Sequence, residues 1–226
     1  MIGVFDSGVG GLTALKELRK IAPNVNICFL ADRKNAPYGT KTIEDIVKLS
    51  KNNIEKLLSF GAQKILMACC TASASYGLLS EKEKRVCIPI IKPAASRAVA
   101  LSRSKRIGVI ATERTVRERA FSKAITELSK DATVFEFEAQ PLVTLVENGA
   151  RDFRLNPSEI EQIKEVLSPL KNKDIDILIL GCTHFPHIKL KIEEILGVPT
   201  VNPSLEGALM IAEQLSLSEE GRTVYL

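Results

Sequence analysis

The sequence predicts an α/β protein with largely parallel sheets covered by helices, in two halves of similar plan. Three observations carry this. Short apolar runs alternate with amphipathic helical stretches along the whole chain, the pattern of parallel strands joined by crossover helices. Ile107-Gly108-Val109 repeats Ile2-Gly3-Val4 at an offset of 105 residues. The stretch Leu66-Met67-Ala68-Cys69-Cys70-Thr71-Ala72-Ser73-Ala74 has a counterpart in Ile177-Leu178-Ile179-Leu180-Gly181-Cys182-Thr183-His184-Phe185-Pro186, and Cys182 follows Cys69 by 113 residues. Two offsets of similar size in the same order read as a duplicated unit. In each cysteine stretch an apolar strand ends on a thiol and passes through threonine into a helix. Ligands of open α/β sheets bind at such strand ends, so two thiols can face each other across one pocket.

Taken in order, Ile2-Gly3-Val4-Phe5 is a buried strand. Asp6-Ser7-Gly8-Val9-Gly10-Gly11 is a loop entering a helix whose Leu12, Leu15, Leu18 and Ala22 recur at helical spacing before Pro23. Its glycines allow backbone amides to approach an anion at a helix start. Thr13 stands where a dinucleotide fingerprint needs its third glycine. A strand over 26–31 and a polar loop over 32–40, carrying Pro37-Tyr38-Gly39, come next. A long helix then buries Ile43, Ile46, Val47, Ile54, Leu57 and Leu58 and stops at Gly61. After the first cysteine strand (64–68), a strand is expected over 86–91 and a small-residue helix over 93–100.

The second half restarts with a strand over 106–112, a helix over 116–128 and a strand over 133–139. Asn156-Pro157-Ser158-Glu159 is a capped helix start, with proline at the first position and glutamate at the third. That helix runs to about position 170. The second cysteine strand, a helix over 187–196, a strand over 198–201 and a helix from 204 to about 215 complete the pattern.

A chain of 226 residues suits one large domain or two small ones. The net charge of +4 does not point to nucleic acid, because Lys and Arg are interspersed with Asp and Glu; it favours drawing in a small anion. The five cysteines are odd in number and the N-terminus enters a strand directly, without a signal peptide. A reduced, cytoplasmic setting is the expectation. No apolar run is long enough to span a membrane.

Cys28 and Cys87 lie inside apolar strands and read as packing. Cys69 and Cys182 sit at strand ends among small polar residues, where a thiol can act as base or nucleophile once partly ionised. Three chemistries compete. An acyl nucleophile would need His184 or His187, both beside Cys182, and leaves Cys69 unexplained. Zinc could draw on Cys69, Cys70, Cys182 and His184, but adjacent cysteines are poorly placed around one tetrahedral ion. Two thiols on opposite faces of a substrate could remove and return a proton at one carbon, as a racemase requires. A duplicated fold supplies two equivalent bases for that task. The carbanion-like state then needs donors such as Ser7, Thr71, Thr183 and amides at helix starts. A redox role for Cys69-Cys70 would demand a strained disulfide. Taken singly, Asp6 reads as a helix cap, Tyr38 as a packing aromatic and Glu147 as a solvated helix-end carboxylate.

Five segments together resemble glutamate racemase, a cofactor-independent branch of the aspartate/glutamate racemase superfamily. They are Asp6 to Leu12, Pro37-Tyr38-Gly39, Ala68-Cys69-x-Thr71-Ala72-Ser73-Ala74, Leu145-Val146-Glu147 and Gly181 to Pro186. The resemblance implies two pseudo-symmetric three-layer α/β domains, 1–92 plus 205–226 and 93–204, with the active site in the cleft between them. It implies Cys69 and Cys182 as the catalytic acid/bases, one for each enantiomer of glutamate. Asp6 would assist Cys69; Glu147 and His184 would assist Cys182. Ser7, Pro37, Tyr38, Gly39, Cys70, Thr71 and Thr183 would line and hold the substrate. No cofactor and no metal are implied, nor any nucleic-acid or membrane partner. A homodimer is expected, in the cytoplasm, with D-glutamate supplied to peptidoglycan. Aspartate or another amino acid is the alternative substrate, and binding of an acidic ligand without turnover the alternative activity.

The chain departs from the family twice. Cys70 replaces the usual Asn, a weak hydrogen-bonding group for a strong one, and an offset of 112 to Cys182 fits the repeat about as well as 113. The chain ends at Leu226, where family members continue through another helix. The expectation is a strand over 222–226 leading toward that helix, and a first domain of lowered stability.

Overall fold

Strand β1 (Ile2–Asp6) is buried at all five positions, as a central strand covered on both faces must be. The computed structural model describes residues 1–214 and 222–226. Around β1 lie β2 (Ile27–Ala31), β3 (Lys64–Met67), β4 (Cys87–Pro89) and, from the C-terminal end, β9 (Thr223–Tyr225). They form one parallel sheet in the order β4-β3-β1-β2-β9. The second half supplies β5 (Arg106–Ala111), β6 (Thr133–Glu138), β7 (Ile177–Gly181) and β8 (Thr200–Val201), again all parallel. Read from its β8 edge, the second sheet runs β8-β7-β5-β6. That is the order of the first sheet without β9.

The strand registers match as well as the order. Ile2 pairs with Lys64, and Ile107 pairs with Ile177. Ile65 pairs with Cys87, and Leu178 with Thr200. An offset of 105 along the central strand therefore goes with 113 along its cysteine-bearing neighbour. Carried forward, 113 takes Cys69 to Cys182 and leaves Cys70 without an equivalent thiol.

The strand period sorts the apolar residues into layers. Val4, Ile27, Phe29 and Leu66 of the first sheet share a central cluster with Ile107, Val109, Ile177 and Ile179 of the second. Ala94, Ala95 and Ala98 of the helix Ile91–Leu101 and Ala208 and Ile211 of the helix Pro203–Ala212 complete it. Phe5, Ile65, Met67 and Cys69 face an outer layer of the first half; Leu178, Leu180 and Cys182 face the corresponding layer of the second. Cys70 falls in the central layer.

Several elements differ from expectation. Ser80 and Glu83 form a capping box that starts a helix over Glu81–Val86, so β4 keeps only three of the six residues anticipated for it. The helix expected over 116–128 is two, Glu113–Arg117 and Ala120–Leu128, separated where Arg119 adopts φ +51°. The long helix Ile43–Ser59 buries Ile46, Ile54 and Leu57 as anticipated, but the buried face also carries Ser50 and Asn53, while Ile43, Val47 and Leu58 are half-buried. Asn53 and Ser50 find side-chain partners in Tyr38 and Ser75. The last helix ends at Ala212, and position 215 of its expected span lies outside the described residues.

Candidate active site in the seam between the two sheets

The carboxyl ends of β1, β3, β5 and β7 converge on a cavity of about 40 Å³. Each strand delivers residues to it: Ser7 after β1, Cys69, Cys70 and Thr71 after β3, Thr112 after β5, and Cys182, Thr183 and His184 after β7. The loop Ala36-Pro37-Tyr38-Gly39 and the helix Gln140–Glu147, through Gln140, Val143 and Glu147, complete the lining. A larger groove of about 420 Å³, lined by Tyr76, Lys92 and Lys123 among others, holds no thiol and no histidine. The small cavity gathers Cys69, Cys70, Cys182 and His184.

Cys69 caps the N-terminus of the short helix Cys70–Ala74, its sulfur accepting the Ala72 N–H at 3.5 Å. Its S–H donates to Ser7 Oγ at 3.5 Å. Burial pushes this thiol up to about 11, helped by the negative field of Asp6, and the hydrogen bonds from Ser7 and Ala72 offset only part of that. Cys182 Sγ lies 3.4 Å from His184 Nδ1. Its thiol is pushed further up by burial, against the lowering effect of the His184 backbone N–H. A strand-to-helix loop by itself favours a thiolate. Desolvation outweighs that local effect and keeps both sulfurs protonated.

Two titratable groups act near the sulfurs: the charge of Asp6 is felt by Cys69, Cys70 and Cys182, and His184 lies beside Cys182. Asp6 is fully buried, and burial raises its carboxyl to about 6 despite the hydrogen bonds it accepts. Oδ1 accepts the Gly8 N–H at 2.8 Å, and Oδ2 accepts the Thr183 hydroxyl at 3.3 Å. His184 is held down at about 4, first by burial and then by the charge of Arg151, so its ring is a neutral base at pH 7. Its Nε2 sits 3.4 Å from Glu147 Oε1, aligned for no hydrogen bond. With a neutral ring this contact is not an ion pair; it becomes one when His184 takes a proton. Glu147 is half exposed and can pass that charge to solvent.

The remaining expected residues are placed as follows. Tyr38 is buried, its hydroxyl donating to Asp32 Oδ2 at 2.6 Å and accepting from Asn53 Nδ2 at 2.9 Å, so the ring is a fixed wall. Burial and Asp32 push its pKa up. Pro37 follows a cis peptide bond. Gly39 packs where a Cβ would come within 3.0 Å of both Thr112 Cβ and Gln140 Oε1, so only glycine lets this loop meet the second half. Thr71 Oγ1 lies 2.9 Å from Thr112 Oγ1, across the seam. Thr183 accepts the Thr13 hydroxyl on its carbonyl at 3.2 Å while its own hydroxyl goes to Asp6. Cys70 lines the cavity, and burial holds its thiol well above the ordinary range. All five cysteines are free and buried. Among the described residues, no group of three His, Cys, Asp or Glu stands where it could hold a metal ion.

Thr112, Gln140 and Val143 line the cavity and were not anticipated. The signals existed. The offset of 105 carries Ser7 onto Thr112, one hydroxyl onto another. Gln140 and Val143 precede Glu147 by seven and four residues, one face of a helix.

The site agrees with what the chain is similar to. The sequence profile of the Asp/Glu/hydantoin racemase family matches residues 12–211. The chain belongs to that family. A glutamate racemase of Desulforudis audaxviator is 38% identical over 221 residues, 97% of this chain and 80% of that protein. The crystal structure of the glutamate racemase isoform RacE1 from Bacillus anthracis superposes with a TM-score of 0.91 at 32% identity, covering 100% of this chain and 87% of that one. The Francisella tularensis glutamate racemase, solved in complex with D-glutamate, gives 0.89 at 33% identity over 99% and 87% of the two chains. Membership in this racemase family makes the chain an amino-acid racemase, an isomerase, with the family's two-sheet α/β fold. No helix among the described residues is long and apolar enough to cross a membrane.

Proposed function

We propose that this chain interconverts L- and D-glutamate by two-base proton transfer, with Cys69 and Cys182 as the bases and no cofactor. One observation carries the reading. Two thiols at equivalent positions of a duplicated fold line one cavity, with His184 beside Cys182 and the charge of Asp6 acting on Cys69. Similarity to glutamate racemases, one of them bound to D-glutamate, supports the substrate.

The substrate's ammonium enters beside two protonated sulfurs and favours ionisation of either. In one direction Cys69 yields its proton toward Asp6 and the thiolate takes the α-hydrogen. Cys182 then delivers its own proton to the opposite face. In the other direction His184 receives the Cys182 proton, Glu147 balances the imidazolium, and Cys69 is the donor. Ser7, Thr71 and Thr183, with backbone amides of the loops, supply donors to the carboxylates and to the charge that develops at the α-carbon. Pro37, Tyr38, Gly39 and Cys70 shape the walls. The same reading assigns 1–92 plus 205–226 and 93–204 as the two domains, a homodimer as the assembly, the cytoplasm as the location and peptidoglycan synthesis as the use of the product.

Incubation of L-glutamate in heavy water tests this. Early D-glutamate should carry deuterium at the α-carbon while recovered L-glutamate remains protonated, because the donor thiol exchanges with solvent and the acceptor on the other face does not return its proton. Deuterium appearing equally early in both enantiomers would point to a single base, and absence of D-glutamate would reject the activity. Aspartate run in parallel decides the substrate.

A pH profile follows from Asp6. A carboxyl raised to about 6 is protonated below that value and cannot receive the Cys69 proton. For the direction in which Cys69 is the base, kcat/KM should fall about tenfold per unit below pH about 6. Asp6→Asn should remove this limb and lower the plateau. His184, held at about 4, remains a neutral base over the same range, and because the two enantiomers are equal in free energy at every pH the fall in kcat/KM should be the same in both directions.

A further inference from the structure

We propose that Gln140 is a substrate-binding residue whose side-chain amide donates to a carboxylate of the bound amino acid. Among the described residues, the buried side-chain polar atoms without a hydrogen-bond partner are Glu136 Oε1, Gln140 Oε1, His184 Nε2 and Ser204 Oγ. Two of these residues line the cavity, and His184 already has Glu147 at 3.4 Å. That leaves Gln140 as an amide at the cavity with no bond on either end.

The buried unpaired atom is the acceptor Oε1, which a carboxylate cannot satisfy; the proposal rests on the NH₂ end, a donor without a bond on a residue that lines the cavity. The placement names the partner. Gln140 Oε1 is wedged against Gly39 and the strand end at Thr112, 3.0 Å from where a Cβ on Gly39 would stand. The other end of the amide, Nε2, is not fully buried and makes no bond, and the residue lines the cavity. An NH₂ group is a donor, and an acidic amino acid presents carboxylate acceptors. Cys70 lines the same cavity with a weak donor. Gln140, Val143 and Glu147 share one helix face, so a single element aims the amide and supports His184.

This inference rests on the glutamate reading above. Its test is the pair Gln140→Leu and Gln140→Glu. Leucine keeps the bulk and removes the donor; KM for glutamate should rise between about tenfold and a hundredfold, the worth of a hydrogen bond to a charged group, with kcat within about threefold. Glutamate at 140 sets carboxylate against carboxylate, and KM should rise further as pH increases. Thermal stability separates binding from scaffolding. Removing an unbonded buried amide should leave Tm of Gln140→Leu unchanged or higher, whereas a structural role would lower it. Unchanged KM in both variants overturns the assignment, as does a raised KM accompanied by a lowered Tm. Calorimetry with D-glutamate on the wild type and Gln140→Leu reads the contact without turnover. A wild type that binds but does not racemise sinks the functional reading, and the ratio of Kd values still decides Gln140. No binding by the wild type sinks both.

Discussion

Cys69→Ser and Cys182→Ser should each lower racemisation by at least about a thousandfold, the scale of a positioned acid/base. A serine hydroxyl fills nearly the same space, so neither change should disturb the fold, but its pKa is far too high for the neighbouring acceptor to ionise it. The loss should be asymmetric in a way that names each base. With Cys182 replaced, Cys69 can still take and return the α-hydrogen on its own face. One enantiomer then exchanges its α-hydrogen with solvent deuterium and is not inverted; the converse holds for Cys69→Ser. Proton NMR of each enantiomer in heavy water reads both outcomes. Cys87→Ala, a buried thiol of β4 outside the cavity, should keep activity within about threefold while losing some stability to the space it leaves. Full racemisation by either serine variant would remove the two-base mechanism.

Gly10→Ala should lower kcat/KM about a hundredfold and cost about 1–3 kcal/mol of stability. A Cβ at this position would stand 2.2 Å from Thr183 Oγ1 and 3.0 Å from His184 Cε1. Both belong to the loop that carries Cys182, and Thr183 holds Asp6. One methyl group therefore pushes on both halves of the proton-transfer apparatus. Gly77→Ala, where a methyl meets nothing within 4 Å, is the matched control and should change neither quantity. Urea melts and steady-state kinetics of the two variants decide it. Equal behaviour would show that the seam accommodates a methyl and that its tightness is not what aligns the site.

Much of this architecture was legible in the amino-acid pattern, because parallel strands buried on both faces leave near-continuous apolar runs. The two repeat offsets already held the topology, and the strand registers resolve the ambiguity between Cys69 and Cys70 in favour of 113. The errors have local causes. The helix Glu81–Val86 has no apolar stripe to reveal it; its capping box is its signal. The break at Arg119 needs a left-handed residue that is not glycine, which composition does not announce. Ser50 and Asn53 are polar residues on a buried face because their partners, Ser75 and Tyr38, come from distant segments. The thiols' protonation was misjudged for a related reason. Sequence shows the helix start that would stabilise a thiolate but not the depth of burial that opposes it. Gln140 was signalled by its spacing from Glu147 on one helix face, but its missing bond could be seen only in the fold.

The hydroxyls that stitch the seam set the terms on which anything gets in or out. The cavity has room for roughly three water molecules. Thr71 to Thr112, Thr183 to Asp6 and Thr13 to the Thr183 carbonyl are short side-chain contacts that solvent can replace one at a time. Each is worth only about 1 kcal/mol net. Beside the apolar cluster that both sheets share, these contacts are the exchangeable, polar part of the seam.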